Sequence, residues 1–116
     1  MPSTTGYRRG DIVLVSFPFT DLTSTKRRPA LVVSPDSFNE LNEDLILAAV
    51  TSQVTTSPHS VPVAPSDCQD GSLPKESFVK LTKVFTISSA LILKSICRLR
   101  AEKLSEVLAK LRELYS

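Results

Sequence analysis

Three glycines, two cysteines, one histidine and no tryptophan are spread over 116 residues, and no apolar run approaches the length of a membrane span. Each scarcity removes a class of chemistry. Gly6, Gly10 and Gly71 are too scattered to build a glycine-rich phosphate loop. His59 is the sole histidine, so a two-histidine acid–base pair and a His-x-x-x-His metal site are both impossible. It follows Pro58 at the start of a candidate strand and reads as an exposed edge residue. Cys68 and Cys97 stand far apart in the chain, neither in a Cys-x-x-Cys pair. They read as reduced cytosolic thiols rather than a disulfide frame or a zinc site. No metal and no cofactor are expected. A spanning helix needs roughly 18 consecutive apolar residues, and Met1–Gly6 lacks the apolar centre of a signal peptide. A cytoplasmic chain with no membrane partner is therefore expected. Fourteen basic residues against twelve acidic ones give a net charge of +2, so any anionic partner must be held by a local patch.

What is present is a series of short apolar runs. The length and the ordinary composition, 41% hydrophobic and 22% charged, fit one domain spanning residues 1–116. Gly10 to Phe17 predicts a strand, apolar on both faces from Ile12 to Val15. Pro29 to Ser34 predicts a second, with proline tolerated at its first position. A short helical turn is expected over 37–43 and a third strand over Leu45–Val50. His59 to Ala64 alternates, and Pro62 confines it to a sheet edge. Pro65 to Glu76 reads as a loop and Ser77 to Phe85 as a fifth strand. Ile92 to Arg98 fits either a last strand or a short helix. Leu104, Val107, Leu108, Leu111, Leu114 and Tyr115 then repeat at helical spacing, opposite Lys103, Glu106, Lys110 and Glu113. Arg100 to Tyr115 is thus an amphipathic helix that lids a core. Five or six short strands and a terminal helix predict a small, mostly antiparallel β-barrel with attached helices.

The chemistry concentrates between the first two strands. Thr20 to Arg28 is polar and basic and ends in the pair Arg27-Arg28. A guanidinium is always charged and its planar fork matches a phosphodiester. Thr51-Ser52-Gln53 follows the third strand, and the two loops are expected to share one mouth of the barrel. Arginine and hydroxyl side chains without histidine suit phosphate chemistry done by positioning and charge alone. RNA cleaved by its own 2′-hydroxyl needs no protein nucleophile and no metal. Plain readings stand beside this one: a solvated loop end for the arginines and ordinary turn chemistry for Thr51-Ser52-Gln53. Arg8 and Arg9 read as solvated, and Lys80, Lys94 and Arg98 as scattered surface charge rather than a basic stripe. Of Phe17 and Phe19, one is expected in the core and the other in a groove.

Four segments, in order, carry a family resemblance. Tyr7-Arg8-Arg9-Gly10-Asp11-Ile12-Val13-Leu14-Val15 resembles the opening strand of the MazF/PemK toxins of type II toxin–antitoxin systems. Arg27-Arg28-Pro29-Ala30-Leu31-Val32-Val33-Ser34 is similar to their Arg-Pro-Ala/Val-Leu-Val signature, and Ala48-Ala49-Val50-Thr51-Ser52 to their strand ending in threonine. Ser77 to Ile87 resembles their late strand. The resemblance implies an SH3-like antiparallel barrel, a homodimer, and a sequence-specific, metal-independent endoribonuclease acting on single-stranded RNA. It implies a cognate antitoxin, and the basic mouth suits an acidic, partly disordered antitoxin segment. By motif position it places the catalytic roles on Arg28 and Thr51, with Arg27, Ser52, Gln53 and Lys83 as substrate contacts. Lys83 stands where some members carry glutamine, and the loop before Arg27 lacks the Gly-Ser-Glu-Gln run of many members. The rival readings are a gyrase-directed toxin of the same fold, like the CcdB proteins, and an inactive RNA-binding relative. The end Leu114-Tyr115-Ser116 and the lack of tryptophan weigh against the first.

Overall fold

The architecture follows from three strands that are apolar on both sides. The computed structural model describes residues 6–18 and 25–116. Seven strands form one antiparallel sheet: β1 (Asp11–Pro18), β2 (Thr25–Val32), β3 (Asp44–Thr51), β4 (Ser60–Val63), β5 (Cys68–Gln69), β6 (Ser77–Ser88) and β7 (Ile92–Leu99). Their order across the sheet is β4-β6-β3-β2-β1-β7-β5. Helix α1 (Asp36–Leu41) links β2 to β3, and α2 (Ala101–Leu114) ends the chain. The sheet curls into a half-barrel, with its central strands β1, β2 and β3 buried on both faces. Ile12, Leu31, Ala48 and Val50 point into one core, where Val61 and Val63 of β4 meet Leu99 of β7 and Val107 of α2. Val13, Val15, Ala30, Val32, Leu45 and Leu47 point into a second, covered by Tyr7, Phe85, Ile87 and Leu91. Double burial explains why these strands read as unbroken apolar runs rather than alternating ones.

The terminal helix lies where its periodicity places it. Val107 is fully buried, and Leu104, Leu111 and Leu114 pack on the first core. The Tyr115 hydroxyl, beyond the helix end, donates to the Leu81 carbonyl at 3.3 Å. Pro62 sits in the edge strand β4, as expected. The ambiguous segment from Ile92 is strand, because it pairs with β1 from Val15–Ile92 to Asp11–Arg98.

Four expectations are corrected. The second strand begins at Thr25, not Pro29: β1 holds the polar residues in register, pairing Ser16 with Arg27 and Val15 with Arg28. The two arginines therefore ride on a strand rather than on a loop end. The segment 65–76 is not all loop, since Cys68–Gln69 adds an edge strand beside β7. There Asp70 and Gly71 both take positive φ, and a Cβ on Gly71 would run into the Ile96 carbonyl. Arg98, expected as loose surface charge, is instead tied down: its Nε lies 2.9 Å from Oδ1 of the buried Asp11. The hydrogen bond to Asp11 raises the Arg98 pKa. Arg9 is likewise anchored, its Nε donating to the Val33 carbonyl at 2.9 Å. The expectations for the side chains of Phe17 and Phe19 fall outside the described residues.

The two cysteines, distant in sequence, are neighbours in space. Both are buried free thiols with their sulfurs 2.8 Å apart. Burial first, and then the hydrogen bond to Cys68, push the Cys97 thiol from its ordinary 9.0 up to about 12. A thiol that stays protonated is a poor nucleophile. Ellman's reagent at pH 8 is expected to leave Cys97 unmodified in the native protein and to modify it fully in denaturant. The folded state holds this proton more tightly than the unfolded chain. The thiol's stabilising share is therefore complete below pH 9 and declines as pH rises from 9 toward 12. Urea midpoints measured across that range, compared with Cys97→Ala, check the sign: the wild type is expected to lose more.

Candidate phosphate-binding cleft

Where β2 and β3 stop pairing, a cleft of about 390 Å³ opens. The last paired residues are Ala30 and Ala49. Carried two residues further, that register puts Arg28 across from Thr51, and both line the cleft. Strand alternation gives the same answer: Arg28 shares its face of β2 with Ala30 and Val32, and Thr51 shares its face of β3 with Leu45 and Leu47. Two stretches of chain 23 positions apart are thus brought to one opening, as the sequence leads one to expect. A buried polar knot helps to hold the connection between them. Ser34 Oγ donates to Asn39 Oδ1, Asn39 Nδ2 donates back to the Ser34 carbonyl at 3.1 Å, and the Ile46 amide donates to Ser34 Oγ at 3.2 Å.

Thr51 is half-buried and oriented. Its hydroxyl oxygen accepts from the Gln53 backbone amide at 3.1 Å, which leaves the hydroxyl proton to donate elsewhere. Arg28 is exposed, and no ion pair among the described residues engages it. Gln53 and Lys83 join the lining. Arg27 and Ser52 do not; both are exposed, and alternation turns Arg27 to the opposite face of β2 from Arg28.

Lys80, which the sequence suggested was scattered charge, lines this cleft as well. The reason is a break in the β3–β6 ladder. Ala49 pairs with Lys80, but the preceding Ala48 pairs with Val84, which leaves residues 81–83 unmatched. On a regular strand, residues 80 and 83 face opposite sides. Three extra residues invert the phase, so Lys80 and Lys83 open onto the same cleft. Lys94 lies in a different cleft, beside Leu14 and Ser95. His59 also lies elsewhere, between β6 and the terminal helix with Lys110 and Glu113. Among the described residues, the cleft wall carries three cations, one hydroxyl and one amide, with no carboxylate, imidazole or thiol. Such a wall can bind and polarise an anion but supplies no group that is basic at neutral pH.

An antiparallel half-barrel with a basic cleft at its strand ends and a helix closing the chain defines the class, and comparison with known proteins defines the family. The model of the PemK-like, MazF-like toxins of type II toxin–antitoxin systems matches residues 8–115, and the chain belongs to that family. No curated protein matches it significantly. Among solved structures, a mycobacterial endoribonuclease in complex with its cognate antitoxin superposes with a TM-score of 0.77 at 17% identity, covering 94% of each chain. The MazE–MazF complex of Deinococcus radiodurans gives 0.74 at 25% identity, covering 94% of this chain and 95% of that one. The Mycobacterium tuberculosis toxin MazF-mt6 gives 0.72 at 18% identity, covering 90% and 95%. No helix among the described residues is long and apolar enough to cross a membrane.

Proposed function

We propose that the chain is a sequence-specific, metal-independent endoribonuclease toxin whose active site is the cleft between β2 and β3. The observation that carries this reading is the meeting of Arg28 and Thr51 in one cation-lined opening. Arg28 neutralises the scissile phosphate and stabilises the extra charge of the pentavalent transition state. Thr51, its oxygen already engaged by Gln53, donates its proton to the same phosphate group. The 2′-hydroxyl attacks the adjacent phosphorus, the P–O5′ bond breaks, and the products are a 2′,3′-cyclic phosphate and a 5′-hydroxyl. The 2′ proton passes to a phosphate oxygen or to water, and the departing 5′ oxygen takes up a proton from water, since a guanidinium keeps its own at neutral pH. Gln53 and Lys83 hold flanking RNA inside the cleft, and Arg27 and Ser52 do so outside it.

The whole chain, residues 1–116, acts as one toxin domain in the cytoplasm, as a homodimer, and needs no cofactor. A cognate antitoxin, like those bound to the structurally similar toxins, silences it. An acidic, partly disordered segment of that antitoxin competes with RNA for the cations of the cleft.

Incubating the purified protein with a long RNA, with and without EDTA, tests this reading. Discrete fragments whose 5′ ends accept phosphate from a kinase without prior phosphatase treatment, equally in both arms, are expected. Intact RNA, or cutting that EDTA abolishes, would refute it.

A further inference from the structure

We propose that Lys80 is a backbone contact for RNA at a phosphate next to the scissile one, so that the cleft grips the chain through three cations rather than two. The inference rests on reading the cleft as an RNA site. It goes beyond that reading because the motif match gives a role to Lys83 and none to Lys80, and the bulge in β6 is what brings the two lysines to one side of the strand. The Ala49–Lys80 pair sets the lysine on the cleft side of the sheet, one strand beyond Thr51 and two beyond Arg28. Neighbouring strands lie about 4.8 Å apart and residues about 3.3 Å apart along a strand, so Arg28 and Lys80, two strands across and two residues along, leave the sheet about 12 Å apart, too widely spaced at their roots to crowd one phosphate. Between them the cleft is lined by Ala49, the small residue that stands opposite Lys80. A strand of RNA laid across the cleft meets Arg28 at one wall and Lys80 at the other, with Lys83 in the bulge.

The electrostatics support this placement. The ion pairs among the described residues involve Arg8, Arg98 and Lys103, and none engages Arg28, Lys80 or Lys83. Three like charges in one opening, with no carboxylate on its described wall, repel one another in the free protein. A polyanion relieves that repulsion, and each phosphate neutralised releases counterions. The pair of lysines also changes what the site can read. Ammonium groups hold phosphates as point charges, whereas the Gln53 amide can donate to and accept from a base edge. Lys80 and Lys83 therefore add grip that does not depend on sequence.

The test measures binding of a short, mixed-sequence single-stranded RNA carrying 2′-O-methyl groups, which blocks cleavage, over a series of salt concentrations. For single strands, each lost phosphate contact lowers the slope of log K against log salt by about 0.7. Lys80→Ala is expected to lower the slope by that amount and to weaken binding severalfold at low salt. On cleavable RNA it is expected to raise KM more than it lowers kcat. Lys80→Arg restores both, while Lys94→Ala, in the other cleft, leaves the slope unchanged. A wild-type slope and KM in Lys80→Ala would overturn the proposal. If the wild type binds this probe yet never cuts RNA, the nuclease reading falls and the slope still judges Lys80. If the wild type does not bind at all, both fall.

Discussion

Arg28→Ala is expected to lower kcat/KM for RNA cleavage by about a hundred- to a thousandfold, the usual cost of deleting one main donor to a developing oxyanion. The fold should not register the change. Arg28 is exposed and in no ion pair among the described residues, so circular dichroism and the urea midpoint should match the wild type, as they do for most surface substitutions. Arg28→Lys sharpens the interpretation. Lysine keeps the charge but loses the planar fork that engages two phosphate oxygens at once. It should recover part of the binding and little of the rate, visible as a KM near wild type with a kcat well below it. A fully active Arg28→Lys would mean that position 28 supplies only local positive charge.

Thr51→Val is expected to cost about ten- to a hundredfold in kcat/KM. The substitution keeps the branched shape and removes only the hydroxyl, and a hydrogen bond to a charged group contributes about 1.5–3 kcal/mol. Thr51→Ser retains the donor and should stay within a few-fold of wild type. In Thr51→Val the Gln53 amide remains exposed to water, so losing its contact with Thr51 Oγ1 costs the fold little. A Thr51→Val enzyme as active as wild type would reduce residue 51 to turn chemistry, the plainer reading that its sequence neighbourhood also permits.

These expectations draw unequally on sequence and structure. The central strands were legible because burial on both faces writes them as unbroken apolar runs: Ile12 and Val13 fill different cores yet both must be apolar. The terminal helix was legible from the spacing of Leu104, Val107 and Leu111. The start of β2 was not, because Thr25-Lys26-Arg27-Arg28 has no strand pattern of its own and is strand only through its pairing with β1. Strand β5 is two residues long, too short to leave a periodic signal. The contact of Cys68 with Cys97 arises from the pairing of β5 with β7, which nothing local encodes. The clearest case is Lys80. Period-two reasoning puts residues 80 and 83 on opposite faces, and only the three unmatched residues of β6 bring them to one side. Arg28 and Thr51 lie in the motifs that resemble the family, and the structure supplies the register that lets those motifs meet.

A double-mutant cycle on residues 28 and 51 bears most directly on whether both act on one phosphate. With kcat/KM measured for wild type, Arg28→Ala, Thr51→Val and the double variant, donors to the same group should be strongly coupled, the double variant cleaving RNA little worse than Arg28→Ala alone. Losses that simply multiply would show two groups working independently, and the shared phosphate site would be wrong.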